Sequence, residues 1–486
     1  AYCGVGCQVD LHVAGGRIAH VRGAEDGHNE GSLCVKGRFA LDFASHPDRL
    51  KTPLVRRGGE LVPASWDEAL GLVAGRLAAI RDAHGPDSLG FLSSARCTNE
   101  ENYLFQKLAR RMGTNNVDHC ARLCHAPTVT GLMQAFGSGA ATNPMDDIAH
   151  AEVILVTGSN TTETHPVFAA RVKRAVRAGA KLVVADPRAV GLTRHAHVWL
   201  RQAPGTDIAW INGLMHVILR EGLENRAFID SRTEGFEALR EALAPYTPER
   251  VQALTGIPAA DLERAARLYA GARAATILYC MGITQHACGT DTVQALASLA
   301  MLCGHVGRPG AGVNPLRGQN NVQGACDMGA LPNVLPGYRR VDDAVARRHA
   351  EGLWGAELPG KPGLTATEMI ATDRVRAMYV MGENPMVSDA DVGHVGGKLE
   401  SLEFLVVQDI FLTETARLAD VVLPAASAAE KDGTFTNTDR RVQRVRAAVP
   451  CPGQALPDWR ILNMLSERLG FGPGPESPEA VMAEIA

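Results

Sequence analysis

The sequence has little of what marks a membrane protein or a nucleic-acid-binding protein. No apolar run in its 486 residues approaches the ~20 residues that a bilayer-spanning helix needs, and the amino-terminal segment lacks an export-signal pattern. The formal net charge of -4 offers no basic field for a polyanion. We therefore expect a cytoplasmic protein with no direct membrane insertion and no nucleic-acid partner.

The cysteines do not follow the pattern of a disulfide-rich protein either. There are 11 of them, an odd number, spread along a chain with 46% hydrophobic and 21% charged residues. That distribution favours reduced thiols and metal ligands over a disulfide framework. The length predicts a multidomain protein, with roughly three compact units of ~150 residues each.

Short apolar runs that end in Gly or Asp occur in two similar stretches, separated by segments of helical length. The first stretch includes 153–158 and 181–188, and the second includes 377–385, 404–409 and 419–424. Such runs predict parallel strands that are buried on both faces, with ligands bound at their carboxyl ends. Neither stretch contains the Gly-x-Gly-x-x-Gly fingerprint, so a nucleotide site and plain α/β architecture both remain open on this evidence.

The amino-terminal segment has a different pattern. Alternating residues at 9–13 and 17–21 flank a Gly-Gly pair, which predicts a short antiparallel hairpin. Around it lie Cys3, Cys7 and Cys34, a set that suits a tetrahedral thiolate site for zinc or an iron-sulfur cluster. A zinc ribbon needs a second knuckle, and the sequence has none.

Two further motifs carry candidate chemistry. Cys124 is followed directly by His125, and a soft thiolate beside an imidazole can bind a redox metal and manage a proton near neutral pH. The alternative is a structural cysteine, because free cysteine is among the most buried residue types. Arg317 opens a polar run to Asp327, where its guanidinium could grip both oxygens of a small carboxylate. The alternative for this arginine is a surface salt bridge.

Taken together, the cysteine segment, the block at 122–128, the run at 317–329 and the block at 381–385 resemble molybdenum- or tungsten-dependent formate dehydrogenases. The resemblance is to their catalytic (alpha) subunit, in the prokaryotic molybdopterin oxidoreductase family, and extends from Tyr2 to at least Leu469. It implies an α/β multidomain fold, with a small β-rich iron-sulfur domain and two pseudo-symmetric α/β dinucleotide-binding domains.

The resemblance also implies domain limits. We expect the iron-sulfur domain at 1–52, completed by about 432–460. One pterin-binding domain is expected at 53–120 with 320–431, and another, carrying the metal-ligand cysteine, at 121–319. Family chains have one more cluster cysteine, immediately before the position of Ala1, and a further pterin-capping domain after the last residue. We therefore expect a fragment that is truncated at both ends.

The implied function is reversible oxidation of formate to carbon dioxide at molybdenum or tungsten held by two molybdopterin guanine dinucleotides, Cys124 and a sulfido group. Arg317 is expected to fix the carboxylate and His125 to assist proton transfer. Cys3, Cys7 and Cys34 are the implied ligands of a 4Fe-4S cluster. Candidate contacts with the pterin cofactors are Lys36, which would also relay electrons to the cluster, Gln319, which could also orient the metal ligands, Gly158, Asn160, Asp186, Arg188, Gly205, Asp207, Met281, Gly282, Gly382, Glu383, Gln408 and Asp409.

The implied partners are iron-sulfur and flavin-bearing subunits of a soluble, NAD-linked complex. Three alternatives remain on the sequence alone. A nitrate reductase of the same superfamily would lack the pair of His125 and Arg317. A non-catalytic iron-sulfur subunit would transfer electrons without molybdenum or tungsten. A zinc-binding interaction module would hold zinc, and no iron, at its three amino-terminal cysteines.

Overall fold

The computed structural model describes residues 2–486 of the chain. Ala1, and the cysteine expected immediately before it, lie outside the described residues. No helix within the described range combines the length and the apolarity that a membrane crossing requires. Within residues 2–486 the elements form a mixed α/β protein around two large sheets, with three two-stranded sheets beside them.

The strands are β1 (Val9–Ala14), β2 (Arg17–Gly23), β3 (Leu54–Arg57), β4 (Glu60–Pro63), β5 (Leu89–Leu92), β6 (Val117–Asp118), β7 (Val153–Thr157), β8 (Lys181–Ala185), β9 (Val198–Leu200), β10 (Ala275–Tyr279), β11 (Gly312–Pro315), β12 (Val334–Leu335), β13 (Arg339–Arg340), β14 (Ala377–Met381), β15 (Phe404–Asp409), β16 (Val421–Pro424), β17 (Gly433–Thr436) and β18 (Val442–Val445).

The α-helices are α1 (Val35–Phe39), α2 (Trp66–His84), α3 (Asn99–Arg111), α4 (Ala121–Cys124), α5 (Ala126–Phe136), α6 (Thr161–Thr164), α7 (Pro166–Arg177), α8 (Asp207–Arg220), α9 (Arg226–Arg232), α10 (Phe236–Leu243), α11 (Pro248–Thr255), α12 (Ala259–Ala270), α13 (Met281–Thr284), α14 (Gly289–Leu302), α15 (Val322–Asp327), α16 (Ala344–Trp354), α17 (Ala366–Ala371), α18 (Pro385–Ser388), α19 (Val392–Ser401), α20 (Glu414–Leu418), α21 (Asp458–Arg468) and α22 (Pro478–Ile485).

The larger sheet joins strands from two distant parts of the chain, in the order β4-β3-β16-β15-β14-β5-β6. Its parallel strands, numbered along the chain, stand in the order 2-1-3-4-5, and β3 adds an antiparallel edge hairpin. The order reverses between β5 and β14. In open parallel sheets, ligands bind outside the carboxyl ends of the strands at such a switch point.

The second sheet has five parallel strands in the order β11-β10-β7-β8-β9. Numbered along the chain and read from β9, this is 3-2-1-4-5, so the switch point lies between β7 and β10. The two sheets therefore share a doubly wound architecture but differ in strand order. The predicted α/β fold class with a small β-rich amino-terminal unit is confirmed; the residue limits of the domains stay predictions.

The parallel strands of both sheets are largely buried on both faces, as their continuous apolar runs predict. The α2, α3 and α21 side of the larger sheet forms one core, and its α17, α19 and α20 side forms another. In the second sheet, α8, α12 and α14 cover one face and α7 covers the other. The strands consequently read as unbroken apolar sequence, because neither face meets water.

The amino-terminal unit forms the predicted hairpin, in which β1 and β2 pair antiparallel. Its three cysteines pack against the α7 side of the second sheet. The side chain of Arg49 anchors the end of this unit, because both of its terminal nitrogens pair at 2.8 Å with the two oxygens of the buried Glu430 carboxylate. A bidentate pair of this kind fixes the relative position of two chain segments.

Arg110 holds the loop that follows α15 in place. Its guanidinium is fully buried, and one terminal nitrogen donates to the carbonyl oxygens of Gly329 (3.1 Å), Leu331 (2.9 Å) and Val334 (2.7 Å). Burial lowers the pKa of Arg110 to about 9. Since the buried carbonyl groups have this donor in common, the loop depends on the one side chain.

We expect Arg110→Ala to lower the free energy of unfolding by about 3–5 kcal/mol, because it leaves several buried carbonyl groups without a donor. Thermal and denaturant unfolding of the full-length protein would measure the change. Arg348→Ala, at an exposed position of α16, is the matched control and should shift stability by less than ~0.5 kcal/mol. A loss below ~1 kcal/mol for Arg110→Ala would contradict this account of the loop.

Candidate active site

At each switch point the chain turns through a glycine. In the second sheet, Gly158 follows β7 and Gly282 follows β10, and the amide of Gly282 donates to the carbonyl of Gly158 at 3.0 Å. A Cβ atom on Gly158 would lie 2.7 Å from the backbone of Gly282. The chain's own packing therefore demands glycine at both positions, in addition to any approach by a phosphate.

The larger sheet has a related arrangement after β5 and β14. Gly382 has a φ of 63°, in the left-handed region that favours glycine. The hydroxyl of Ser94, which follows β5, donates to the Gly382 carbonyl at 2.8 Å. The two switch points are thus narrow turns, bridged by a backbone contact in the second sheet and by the Ser94 side chain in the larger sheet.

The segment directly after β11, at residues 316–318, is held by side chains from distant parts of the chain. The carbonyl oxygen of Leu316 accepts from Nε2 of His125 at 3.1 Å and from the thiol of Cys280 at 3.0 Å. The carbonyl oxygen of Arg317 accepts from Nε2 of His165 at 2.6 Å. Two histidines and a thiol therefore fix two consecutive peptide groups.

The amino-terminal cysteine segment reaches the same backbone. The amide of Gly4 donates to the carbonyl of Gly318 at 2.9 Å, and a Cβ atom on Gly4 would lie 2.4 Å from the carbonyl oxygen of Arg317. The amide of Arg317 donates to the hydroxyl of Thr438 at 2.9 Å. Cys3 and Gln319 form an isolated antiparallel bridge beside these contacts. The candidate cluster ligands and the candidate substrate arginine are thus neighbours.

Arg317 itself is fully buried, with 0% of its surface exposed. Its Nη2 donates to the carbonyl of Gly139 at 2.8 Å and to Oε1 of Gln323 at 3.2 Å, and both of these acceptors are neutral. Its Nε and Nη1 have no hydrogen-bond partner among the described residues. A buried guanidinium with unfilled donors is costly unless an anion completes it. The surface salt bridge considered for this arginine is therefore ruled out.

Cys124 ends α4 and is 5% exposed. Its carbonyl accepts from the hydroxyl of Thr284. Burial raises the pKa of the Cys124 thiol to about 12, while the charge of Arg317 acts to lower it. The group is consequently a protonated thiol without a metal, and a soft metal cation is what would hold it as a thiolate.

His125 has partners for both ring nitrogens and is fully buried. Because a carbonyl oxygen only accepts, Nε2 carries the proton towards Leu316, and Nδ1 accepts from the hydroxyl of Thr128 at 3.1 Å. Burial, assisted by the nearby Arg317 charge, lowers the pKa of His125 well below the usual range of an imidazole. The pKa of a free imidazole therefore does not describe His125, which is a neutral hydrogen-bond donor held in one position. Its role in proton transfer stays a prediction.

The amino-terminal cysteines interact with one another. Burial is the main cause that raises the pKa of Cys7 to about 12, followed by the neighbouring Cys3 and Cys34. A single zinc ion with Zn–S bonds of ~2.3 Å would hold its sulfurs ~3.8 Å apart. Among residues 2–486, the only trio of potential ligands within 4.8 Å lies elsewhere, so these three sulfurs are spread more widely. That spacing suits a cluster, in which each thiolate binds a different iron.

At the carboxyl edge of the second sheet, buried polar atoms lack partners. Oε1 of Gln202 and Oδ1 of Asn160 are buried and have none among the described residues. Asp207 accepts from Nε2 of Gln202 at 3.1 Å, which turns the unpaired oxygen of Gln202 away from it. Asp186 accepts from the amide of Arg188 at 2.9 Å, and burial raises its pKa. Unpaired acceptors at this edge suit a ligand that carries polar N–H groups.

The larger sheet has a cavity of about 330 Å³ at its carboxyl edge, lined in part by Gly382, Gln408, Asp409 and Lys431. Burial raises the pKa of Asp409 to about 6. Nε2 of Gln408 donates to Asp458 at 2.7 Å, so the buried Asp458 carboxylate fixes the orientation of the Gln408 amide. A volume of this size is typical of small-molecule and cofactor sites.

Lys431 explains the one trio of potential metal ligands found within the described residues. Its ammonium lies 2.7 Å from Glu101 and 2.6 Å from Asp458, and these carboxylates form that trio with Cys97. A lysine therefore already occupies the cationic position among them. The trio is a buried ion network beneath the cavity.

The remaining predicted contacts are more scattered. The amide of Cys120 donates to Oε1 of Glu383 at 2.9 Å, and burial raises the pKa of Glu383 to about 8. Lys36 lies on α1 and is exposed, although its charge acts to lower the pKa of Cys3. Arg188, Gly205 and Met281 are also exposed. The structure thus brings Cys124, His125, Arg317 and the cluster segment together, with Lys36 near the cluster segment, and it leaves Arg188, Gly205 and Met281 at the surface.

The structure adds several residues to the site that the sequence motifs did not indicate. His165, Thr438 and Gln323 contact Arg317, and Gln202 offers an unpaired oxygen. Only Gly4 carried a usable signal, since a glycine inside a cysteine motif points to a close backbone approach. The others lie far from Arg317 in sequence or have no distinctive neighbours.

The donor set fits the expected cofactors. Cys124 offers a buried soft ligand, the amino-terminal cysteines suit a cluster, and both switch points carry unfilled polar groups or a cavity. Residues 49–468 match the model of the family described as Molybdopterin oxidoreductase. Residues 1–46 match the Molybdopterin oxidoreductase Fe4S4 domain.

Relatives and a solved structure agree with these matches. The chain is 52% identical, over its whole length and 72% of the relative's, to F420-dependent formate dehydrogenase 1 subunit alpha of Methanococcus maripaludis. It is 46% identical to Formate dehydrogenase H of Escherichia coli, covering 97% of this chain and 67% of that one. Acetylene Hydratase from Pelobacter acetylenicus shares the fold, with a TM-score of 0.81 at 23% identity, over 99% of this chain and 69% of that chain.

The family expected from the sequence motifs is therefore confirmed by matches that cover nearly all of the chain. Those matches also support the expected molybdopterin and 4Fe-4S cofactors. The chain belongs to the molybdopterin oxidoreductase family, among the relatives of formate dehydrogenase alpha subunits.

Proposed function

We propose that this chain oxidises formate to carbon dioxide, a reaction that releases one proton and two electrons. The observation that carries the proposal is the fully buried Arg317, whose Nε and Nη1 lack acceptors beside the Cys124 thiol. A single-carbon carboxylate supplies the missing negative charge and is small enough for an enclosed site. Relatives that are 46–52% identical to this chain are named formate dehydrogenases.

Four cysteines would hold the metal centres: Cys124 the molybdenum or tungsten, and Cys3, Cys7 and Cys34 the cluster. The metal-pterin group supplies, when bound, the two-electron redox couple that the oxidation requires. Its nucleotide ends would meet Asn160, Gln202 and Asp186 at one sheet, and Gly382, Gln408 and Asp409 at the other.

The protein's own part is to bind and orient the substrate. Arg317 would place the carboxylate oxygens and leave the C–H bond directed away from the guanidinium. His125 and His165 contribute by donating to the carbonyls at Leu316 and Arg317, which fixes the backbone that carries the guanidinium. Because these groups are buried, water is kept from the substrate.

The electrons are expected to leave through the cluster segment to partner subunits with iron-sulfur and flavin groups, in the cytoplasm. Gly4, between two cluster cysteines, contacts the backbone of Arg317, which places the cluster segment beside the substrate arginine. The final acceptor is NAD in our proposal, and F420 is the second candidate because of the named relatives. Formate-dependent reduction of each acceptor by the purified complex distinguishes the two.

Substitution of the proposed metal ligand tests the centre. We expect Cys124→Ser in the full-length enzyme to abolish formate-dependent dye reduction while iron content stays unchanged, because a hard oxygen replaces the soft thiolate at the metal and the cluster cysteines are untouched. Anaerobic elemental analysis and a dye assay measure both quantities. Cys303→Ser, at a buried thiol in the core of the second sheet, is the control and should retain activity. Full turnover by Cys124→Ser would refute the assignment.

Substitution of the buried cation tests substrate binding. Arg317→Lys keeps the charge but removes the planar fork, so we expect kcat/KM for formate to fall roughly 10- to 100-fold. Arg317→Ala should fall further, by at least ~100-fold, since a buried charge partner is removed. Steady-state kinetics, with nitrate assayed in parallel, provide the measurement. Nitrate reduction without formate oxidation by the unmodified enzyme would instead favour the nitrate reductase alternative.

A further inference from the structure

Gln323 lies on α15 and is fully buried against the guanidinium of Arg317. Its Oε1 accepts from Nη2 of Arg317 at 3.2 Å. Its Nε2 donates to Oδ1 of Asp327 at 2.8 Å and to the hydroxyl of Tyr338 at 3.0 Å. The amide oxygen and both amide hydrogens of Gln323 are therefore engaged.

The orientation of this amide has only one solution. A guanidinium has donors and no acceptor, so the amide oxygen must face Arg317. The amide nitrogen then faces Asp327, a carboxylate that is itself on the same short helix and largely enclosed. Gln323 consequently stands as a neutral group between the buried guanidinium of Arg317 and the partly buried carboxylate of Asp327.

This separation has a direct electrostatic consequence. If the two charged groups met, Arg317 would be neutralised inside the protein and its fork would be filled by an internal carboxylate. Asp327 instead has Arg440 as a cationic neighbour, at 3.9 Å on its more exposed side. The charge of Arg317 therefore remains unmatched by any of the side chains it is hydrogen-bonded to.

We propose that Gln323 is a positioning residue that holds Nη2 of Arg317 with a neutral oxygen and keeps the guanidinium from pairing with Asp327. The positive charge is thereby reserved for the incoming carboxylate. The inference rests on the proposed function and deepens it, since it names the residue that keeps the formate-binding cation available.

Gln323→Glu in an Asp327→Asn background is the sharpest test, because it places a carboxylate directly against Nη2 while the second change removes the carboxylate that the new one would otherwise face. Asp327→Asn alone is its reference. The internal carboxylate should then compete with formate. We expect KM for formate to rise at least tenfold while kcat changes less than threefold. Gln134→Glu, the same change at an exposed position of α5, is the matched control and should leave both parameters unchanged.

A second readout separates this role from a merely structural one. In anaerobic full-length holoenzyme without electron acceptor, formate should raise the melting temperature of the unmodified protein, relative to chloride at equal ionic strength. In the Asp327→Asn background, Gln323→Glu should melt at a higher temperature than Asp327→Asn alone when formate is absent, and should lose most of the formate-dependent rise. A structural defect would lower both stability and affinity, which is the opposite pattern for stability.

The outcomes are distinguishable. If the unmodified enzyme oxidises formate, and Gln323→Glu leaves the KM and the formate-dependent melting shift of Asp327→Asn unchanged, the inference about Gln323 is overturned and the proposed function stands. A variant that melts lower and binds formate more weakly also overturns it, in favour of a packing role. If the unmodified enzyme neither oxidises formate nor is stabilised by it, the proposed function fails and the inference fails with it.

Discussion

The peptide groups at residues 316–318 are the point on which the site depends. They follow β11, an edge strand of the second sheet, into a buried region where every carbonyl and amide needs a partner. Their partners come from distant parts of the chain: His125, His165, Cys280, Thr438 and Gly4. The hydrogen-bond requirements of this short backbone segment therefore bring several parts of the chain together. They are the Cys124 helix, the segments that follow β7 and β10, and the amino-terminal cysteine segment.

The same arrangement explains why the guanidinium of Arg317 can stay charged and unfilled. Its backbone is fixed on both sides, so the side chain cannot turn out to water, and its hydrogen-bonded neighbours are neutral. The surrounding packing and hydrogen bonds offset the unfavourable free energy of burying this cation. The buried guanidinium, with two nitrogens left without acceptors, therefore forms a binding site for a small anion.

Much of the architecture could be predicted from the sequence. Apolar runs that end in Gly or Asp predict buried parallel strands, and the Gly-Gly pair at 15–16 predicts a hairpin; the structure has both. The strand orders 2-1-3-4-5 and 3-2-1-4-5 could not be predicted, because long helical crossovers leave no local signal of which strands become neighbours.

For the site, motif residues were accessible and their supporting residues were not. Cys124 and Arg317 stand in distinctive local sequence, whereas His165 and Gln323 act only through contacts made by the folded chain. His125 shows a further limit. Its ordinary pKa suggested a proton carrier, but burial beside Arg317 keeps it neutral, and burial cannot be read from a dipeptide.

The most direct test of the central claim is an anaerobic structure of the full-length holoenzyme with formate bound. The account predicts the formate carboxylate within hydrogen-bond distance of the Arg317 guanidinium, with the sulfur of Cys124 bound to the molybdenum or tungsten. A structure in which Arg317 instead pairs with a protein carboxylate, or in which Cys124 lies away from the metal, would contradict it.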